Sequence, residues 1–280
     1  MERVPGIDVS RWQGTMDWQK VAEAGYRFAV IRATIGDYYS DPRFFTNWSE
    51  AREAGLLLSS YHVITPNVSA DAQIGRFFEV LGKRRPDLPL VLDVERTDGM
   101  SPQVITQRIR ECLDGIEAGA GRKPIIYTAR WFWDRSVLPS SQWSTYDLWV
   151  ASYTRNPILP RDWQSWLIWQ YSESGTVPGS GSRHTDLNWF AGSYEDLLHY
   201  AGRADEPPPH EARWHVRVVV PKLNVRNGPG RQYDNIGDLY EGDILELLTL
   251  TGDDVWVEFE PGKWAAFSLK GDPYLRLEIL

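Results

Sequence analysis

Between residues 6 and about 200, the sequence alternates short apolar runs, typical of strands, with longer segments whose apolar residues recur at helical spacing. Near-continuous apolar strands that alternate with helices predict a parallel sheet covered on its outer face. Eight such runs occur here, which is the number of strands that closes a (β/α)8 barrel. The runs are GIDVS, RFAVIRAT, LLLSSYHVI, LPLVLDVE, PIIYTAR, DLWVASY, WLIWQYS and DLNWF.

The helix-like segments become short in the second half of this region. We therefore predict an irregular (β/α)8-like barrel, of the mixed α/β class, over residues 1–202. A doubly wound open sheet is the alternative fold for such an alternation. That fold usually places a Gly-x-Gly-x-x-Gly turn after its first strand, and GIDVSRWQG lacks this pattern.

The sequence changes character at GRADEPPPHEAR. Three consecutive prolines in a polar, charged stretch predict an extended linker at residues 203–213. Beyond it, short alternating runs are broken by Gly, Pro and Asn turns. This pattern predicts a second domain, a small all-β barrel, at residues 214–280.

The run LPLVLDVE ends in two carboxylates one residue apart, Asp93 and Glu95. Side chains alternate between the two faces of a strand, so both acids point to the same side. Asp8 lies at the end of the first run, and Asp186 lies in the last run. If the barrel closes, its first and last strands are neighbours. All four acids then converge on the rim where barrel enzymes hold their catalytic residues.

Crowding and burial push the pKa values of neighbouring carboxyl groups apart, which leaves some protonated and others ionised at neutral pH. Glycoside hydrolysis uses such a pair: one acid protonates the leaving oxygen, and another stabilises or attacks the anomeric centre. The alternative for any single acid is a structural role, as a helix cap or as the partner of Arg32 or Arg130. Four acids at strand ends, in a chain with 14 Trp and 13 Tyr, favour the catalytic interpretation.

Seven segments, in this order, resemble glycoside hydrolase family 25, the Chalaropsis-type lysozymes of bacteria, fungi and phages: GIDVSRWQG, YHVITP, LVLDVE, IIYTAR, LWVASY, IWQYS and TDLNWF. The resemblance covers residues 6 to about 200. It implies an irregular β/α barrel that cleaves the β-1,4 bond between N-acetylmuramic acid and N-acetylglucosamine in bacterial peptidoglycan. One departure is visible, because family members commonly read ATEG after the second strand and this chain reads ATIG, with Ile35 in place of Glu.

Carried over by motif, the resemblance implies that Glu95 is the general acid and that Asp93 assists the anomeric centre or the acetamido group of the substrate. Asp8 and Asp186 match two further acids that line the site. The nucleophile stays open between a carboxylate, the acetamido oxygen and water. The candidate substrate-binding residues, each with packing or structural hydrogen bonding as its alternative role, are Tyr61, His62, Tyr127, Trp149 and Trp169.

The segment LNVRNGPG, at residues 223–230, looks like the signature of a bacterial SH3-type domain, and the likeness covers most of residues 214–280. It implies a cell-wall-binding module that recognises the peptide or cross-bridge part of peptidoglycan. Tyr233, Trp264 and Trp256 are candidate ligand contacts, although the alternation in DVWVEF favours a core position for Trp256. A structural or dimerisation role is the alternative for the module.

Composition excludes several other classes of function. A net charge of −8 argues against a nucleic-acid partner, which favours a basic surface. The five histidines show no ligand spacing, so neither a metal nor a cofactor is expected. Cys112 lies on an apolar helix face and is interpreted as a core residue. No signal peptide and no run long enough to span a bilayer is visible, so we expect no membrane insertion.

The sequence therefore predicts a peptidoglycan muramidase that acts on the cell wall, either as an autolysin or as an endolysin released from a host cytoplasm, with a monomer favoured. The alternatives are a non-catalytic glycan-binding protein with the same groove, a chitinase-like hydrolase, and an amidase or peptidase that uses Cys112. The D-x-x-D-x-D-x-E pattern of chitinases is missing, since Pro89, Leu90, Val91 and Leu92 precede Asp93.

Overall fold

The computed structural model describes residues 2–203, 214–246, 249–251, 255–269 and 272–279. The chain divides into two compact units, residues 1–208 and 209–280. Of the predicted linker at residues 203–213, all but Arg203 lies outside the described residues, so the linker stays a prediction.

The first unit is built around a closed sheet. Its strands are β1 (Arg3–Val9), β2 (Phe28–Ile35), β3 (Tyr39–Ser40), β4 (Leu57–Val63), β5 (Val91–Asp93), β6 (Ile125–Ala129), β7 (Leu148–Ala151), β8 (Ile168–Gly175) and β9 (Thr185–Ala191). The order around the barrel is β1-β9-β8-β7-β6-β5-β4-β2, and β2 pairs with β1 to complete the circle. The mixed α/β class with eight strands closed into a barrel is confirmed, and the open-sheet alternative is wrong.

The last strand departs from the parallel arrangement predicted for the barrel. Strand β9 is antiparallel to both of its neighbours, β8 and β1, whereas the other barrel pairs are parallel. A parallel return needs a crossover of about a dozen residues or more, usually through a helix. Residues 176–184 connect β8 to β9 without a helix, which is too short a connection for that crossover.

The described part of this unit has six α-helices packed against the strands: α1 (Trp18–Glu23), α2 (Phe44–Glu53), α3 (Ala70–Leu81), α4 (Pro102–Ala120), α5 (Arg130–Ser136) and α6 (Tyr194–Tyr200). Ser69 and Ser101 are the N-caps of α3 and α4, and each hydroxyl accepts a hydrogen bond from the backbone N–H of the third residue that follows. Proline at the first turn of α4 needs no backbone N–H there, so it is compatible with the helix start.

Alternation along the strands sorts the side chains into two apolar layers. The outer layer lies between the strands and the helices and contains Leu92, Val94 and Cys112. The inner layer fills the barrel and contains Phe28, Leu57 and other residues that begin their strands, together with Leu197 and Leu198 of α6. Helix α6 therefore closes the end of the barrel at which the parallel strands start, and the opposite end is left for polar side chains.

The second unit, where described, consists of strands: β10 (Trp214–Val218), β11 (Lys222–Arg226), β12 (Asn235–Tyr240), β13 (Ile244–Glu246), β14 (Thr249–Thr251), β15 (Trp256–Glu260), β16 (Lys263–Ala266), β17 (Ser268–Leu269), β18 (Asp272–Pro273) and β19 (Leu275–Ile279). They form antiparallel sheets around a small apolar core that includes Val216, Val225 and Val257.

Within the described residues of both units, no helix combines the length and the apolarity that a membrane span requires.

Candidate active site

Four carboxylates meet at the end of the barrel opposite α6. Asp8 lies near the end of β1, Asp93 ends β5, Glu95 follows two residues later, and Asp186 is the second residue of β9. All four line one cavity of about 220 Å³. Asp186 reaches this rim because β9 runs antiparallel, which sets Asp8 and Asp186 directly opposite each other in the strand pairing.

Asp8 is held by two side-chain amides whose orientation is itself fixed. Its Oδ1 accepts hydrogen bonds from Gln170 Nε2 at 2.9 Å and from Asn188 Nδ2 at 2.8 Å. The hydroxyls of Tyr127 and Tyr153 donate to Gln170 Oε1, at 2.9 and 2.8 Å. Trp149 Nε1 likewise donates to Asn188 Oδ1 at 2.8 Å. Because donors occupy both amide oxygens, both NH₂ groups are directed at Asp8, and this arrangement favours its ionised form.

The environment shifts the proton affinities of the four acids by different amounts. Burial raises the pKa of Asp93 well above its usual range, and the charges of Glu95 and Asp8 raise it further. Burial is also the main reason that the pKa of Asp186 rises from 3.8 to about 9, assisted by the negative charge of Asp8 and by a hydrogen bond between the two carboxyl groups. Asp186 therefore carries a proton at neutral pH and donates it in the hydrogen bond to Asp8, while the environment of Asp93 favours its protonated form.

Glu95 occupies an intermediate position. Burial and then the charge of Asp8 raise its pKa, whereas the nearby cations Arg96 and Arg32 oppose that rise. For Asp8, burial raises the pKa and the hydrogen bonds from Asn188 and Gln170 oppose the rise. The four acids are therefore unequal in a chemically useful way, because burial favours the protonated forms of Asp93 and Asp186, Asp8 accepts several hydrogen bonds, and opposing charges act on Glu95.

Arg32 and Arg130, the candidate ion-pair partners of the four acids, form ion pairs with other carboxylates. Arg32 lines the cavity, but its guanidinium pairs with the buried Asp41 at 2.9 Å. Arg130 pairs with Asp134 at 3.2 Å. Ile35, at the position where ATEG places a Glu, packs against the inner apolar layer. None of these contacts takes a carboxylate away from the cavity.

Three of the predicted aromatic residues, Tyr61, Tyr127 and Trp149, line the cavity of the acids. The rings of Tyr127 and Trp149 meet edge to face with centroids 4.7 Å apart. Trp149 is buried and bonded to Asn188, so it supports the wall of the cavity rather than offering an open ring face. The exposed Trp12, which sequence reasoning missed, lines the same cavity with 68% of its surface accessible.

His62 and Trp169 do not reach the cavity, which corrects their proposed role as substrate contacts. His62 is fully buried, with Nδ1 2.7 Å from Thr34 Oγ1 and Nε2 3.0 Å from Gln73 Oε1, and burial lowers its pKa to about 4. Trp169 belongs to the outer apolar layer, and its Nε1 donates to the carbonyl of Ser152 at 2.7 Å. His62 lies between the inward-facing Tyr61 and Val63, and Trp169 follows the inward-facing Ile168. Because side chains alternate along a strand, His62 and Trp169 both point out of the barrel.

A second cavity of about 590 Å³ adjoins the first and shares Glu95, Tyr127, Tyr153 and Glu173 with it. Its wall includes Trp131, which is 73% exposed. Trp131 lies on helix α5. Glu95 therefore lies where a carboxylate-lined cavity meets a wider, aromatic one.

The residues that sequence reasoning missed carry a signal in the strand pattern. Gln170 and Asn188 stand two residues from inward-facing positions, in the runs IWQYS and TDLNWF. Because side chains alternate, a polar residue two positions from an inward-facing apolar residue also faces the interior of the barrel. Such a residue is therefore a candidate for a functional role inside the barrel. Trp12 and Tyr153 lie outside regular strands, in segments where no such parity exists.

Within the described part of the chain, neither the thiol of Cys112 nor a metal-binding cluster is a candidate for the chemistry of this site. Burial raises the pKa of the Cys112 thiol to about 12, so it carries no thiolate at neutral pH, which removes the amidase or peptidase alternative. Among the described residues, no group of His, Cys, Asp and Glu is arranged to hold a metal ion.

In the second unit, Tyr233 is 40% exposed and lies over Gly228, where an added Cβ would be 2.3 Å from its ring. Trp264 is partly buried, and Trp256 belongs to the small core, as expected.

The raised pKa of Asp186 predicts a loss of stability as pH rises. The folded protein keeps this proton between 3.8 and about 9, whereas the unfolded chain releases it over that range, so unfolding becomes easier as pH increases. The Tm is expected to fall by at least about 4 °C between about pH 5 and about pH 8. Asp186→Asn, which carries no titratable proton, is expected to reduce that fall.

Thermal unfolding followed by circular dichroism across this pH range tests the prediction. Asp114→Asn, an exposed change on α4, serves as the control and is expected to keep the wild-type slope. A slope that is the same in all three proteins would contradict the assignment of a proton to Asp186.

Comparison with known proteins shows where this barrel has relatives. Residues 7–180 match the family model described as Glycosyl hydrolases family 25. The uncharacterized protein YegX of Escherichia coli (strain K12) is 38% identical over 211 residues, which cover 73% of this chain and 76% of that protein. Lysozyme M1 of Streptomyces globisporus is 34% identical over 210 residues, 70% of each. The crystal structure of the bacterial lysozyme from Streptomyces coelicolor superimposes with a TM-score of 0.68 and 34% identity, covering 73% of this chain and 99% of that one.

Proposed function

The chain belongs to glycosyl hydrolases family 25, and from this membership we propose that it is a peptidoglycan muramidase, a lysozyme that hydrolyses the β-1,4 bond between N-acetylmuramic acid and N-acetylglucosamine. The observation that carries the proposal is the group of four carboxylates, unequal in proton affinity, in one cavity that opens beside exposed aromatic rings. Acid-assisted cleavage of a glycosidic bond requires carboxyl groups of this kind, some protonated and some ionised.

We assign the general acid to Glu95. It follows the end of β5 toward the rim, it has the longer side chain of the Asp93–Glu95 pair, and burial and the charge of Asp8 raise its pKa. A raised pKa keeps Glu95 protonated to a higher pH than an ordinary glutamate, and that proton passes to the glycosidic oxygen as the bond breaks. Activity is therefore expected to decline as the pH rises through the pKa of Glu95.

The other three acids take supporting roles in this proposal. Asp8, held by two amides, supplies negative charge for the positive anomeric centre of the transition state. Asp186 donates a hydrogen bond to Asp8 and keeps its position. Asp93 Oδ1 is buried without a hydrogen-bond partner among the described residues, which leaves it available to a polar group of the sugar such as the acetamido group.

The glycan is proposed to run through both cavities, with the scissile bond beside Glu95 where they meet. Trp12 borders the carboxylate-lined cavity and Trp131 the wider one, and both residues are largely exposed, although the Arg11 guanidinium lies 4.4 Å from the centroid of the Trp12 ring. Flat aromatic faces of this kind suit stacking on pyranose rings. The two rings support sugar subsites on both sides of the bond that is cut.

Mass spectrometry of fragments released from purified peptidoglycan tests the activity. New reducing ends on N-acetylmuramic acid are expected, and chitin offered under the same conditions is expected to stay intact. Reducing ends on N-acetylglucosamine, or binding without turnover, would contradict the proposal. Turnover of chitin at a similar rate would favour the chitinase-like alternative.

We propose further that residues 214–280 form an SH3-like module that binds the cell wall. Support comes from the signature LNVRNGPG and from a fold of short antiparallel strands around a small core. Tyr233 and Trp264 stay candidate contacts, and the close approach of Tyr233 to Gly228 explains the glycine in that signature. A wall-bound module raises the concentration of the catalytic unit at its substrate.

A chain truncated after Arg203 is expected to keep its rate on soluble glycan fragments within about twofold, because the catalytic residues all precede that point. Its binding to whole walls is expected to weaken by about tenfold or more, since the second point of attachment is lost. Sedimentation with purified walls measures binding, and soluble fragments measure the chemistry. Equal wall binding by the truncated and full-length chains would remove the targeting role.

A further inference from the structure

One cavity of the second unit is lined by positively charged side chains, although residues 214–280 as a whole are negatively charged. Residues 214–280 contain seven Lys and Arg against eleven Asp and Glu, so this part of the chain has a net negative charge. Three of the seven cations, Lys222, Arg226 and Arg231, nevertheless line a single cavity of about 330 Å³. Attraction of an anion to this unit therefore depends on that cavity and not on overall charge.

The strand pattern explains how the cations come to share a face. Lys222, Asn224 and Arg226 occupy alternate positions of β11, so they project from the same side of the sheet. The buried Trp256 and the partly buried Tyr274 also line the cavity and give it an apolar part. The cavity thus combines cations, one amide and two aromatic rings.

The two guanidinium groups are available to a ligand. Arg226 Nη1 donates to the backbone carbonyl of Tyr233 at 2.7 Å, a contact that leaves its charge uncompensated. Neither Arg226 nor Arg231 has an acidic side chain within ion-pair distance among the described residues. Lys222 differs, because its ammonium pairs with Asp238 at 2.9 Å. The positive field of the cavity therefore comes mainly from the two arginines.

We propose that this cavity binds the free carboxylate end of a cell-wall stem peptide. A guanidinium presents paired N–H donors that match the two oxygens of a carboxylate. The Asn224 amide can bond to the adjoining peptide group, while the partly buried Tyr274 contacts an apolar side chain of the peptide. The volume is near the lower end of the range for ligand sites, which fits a peptide terminus.

This inference rests on the proposed function, because it names the part of peptidoglycan that the wall-binding module holds. It assigns the contact to residues other than Tyr233 and Trp264, which do not line this cavity. Phosphate-rich wall polymers are the other anionic source in such walls, so the experiment separates carboxylate from phosphate.

Binding of the full chain to purified walls, with Glu95→Gln present throughout to limit digestion, provides the test. Arg231→Gln and Arg226→Gln are each expected to weaken binding by about tenfold, the effect of losing a charged hydrogen bond. Lys263→Gln removes a cation of the same unit that lies outside the cavity and pairs with Glu260, and it is expected to bind like the parent. Arg231 is exposed, so its variant carries little risk to folding.

Two wall treatments identify the ligand chemistry. Amidation of the stem-peptide carboxyl groups is expected to reduce binding of the parent chain to the level of Arg231→Gln, whereas removal of phosphate polymers is expected to leave it unchanged. Equal binding by Arg231→Gln and Lys263→Gln would overturn the proposal, and so would loss of binding on phosphate removal alone. Release of muramic-acid ends from soluble glycan, measured separately with Glu95 intact, shows whether the muramidase assignment holds independently.

Discussion

Glu95→Gln is expected to lower the rate of glycan cleavage by a factor of about 10²–10⁴, which is the usual contribution of a general acid. Glutamine keeps the shape of the side chain but has no proton of suitable acidity for the leaving oxygen. The folded structure should persist, because Glu95 lies beyond the end of β5 and the substitution replaces no hydrogen bond that holds the barrel. Release of reducing ends from soluble glycan fragments measures the loss, and thermal unfolding checks the fold.

Glu173→Gln is the matched control for this prediction. Glu173 lines the same two cavities but its side chain is exposed. Removing its charge is expected to change the rate by less than about tenfold, because it transfers no proton. Full activity of Glu95→Gln, or equal losses in the two variants, would show that Glu95 is not the acid.

Asp8→Asn is expected to lower the rate by at least about 10²-fold, a loss typical of removing one electrostatic stabiliser from a transition state. The amide oxygen of the new side chain can still accept from Gln170 Nε2 and Asn188 Nδ2, so the geometry is kept and only the negative charge disappears. The steady-state rate on soluble fragments measures this effect separately from wall binding.

Asp186→Asn provides the contrast. Because the carboxyl group of Asp186 carries a proton near neutral pH and bonds to Asp8, an amide N–H can take over the same donation. This variant is expected to retain at least about a tenth of the wild-type rate. A loss as large as that of Asp8→Asn would mean that Asp186 acts as an ionised group and that the proton lies elsewhere.

The barrel was predictable because most barrel strands coincide with near-continuous apolar runs and the long helices carry clear caps, such as Ser69 and Ser101. The direction of β9 was not predictable in the same way. An apolar strand reads the same in either direction, and only the short connection before it excludes a parallel return. Helix α5 was uncertain because the run RWFWDRS carries no side-chain cap.

The residues of the candidate site also differ in how readily the sequence identifies them. The four acids were found because a charge at the end of an apolar run stands out from its surroundings. The predicted substrate contacts His62 and Trp169 were wrong because neighbouring residues of a strand face opposite sides, so Tyr61 and His62 cannot both face the interior of the barrel. Gln170 and Asn188 are neutral, so their importance depends on partners that come together only after the barrel closes.

The hydrogen bonds that hold Asp8 join residues separated by 162 and 180 positions in the chain. During synthesis, the N-terminal acid leaves the ribosome long before Gln170 and Asn188 are made. A nascent chain that ends before β9 lacks the strand that seals the barrel, and with it Asp186 and one of the two amides. The complete set of contacts around Asp8 therefore forms only when the whole barrel has been synthesised.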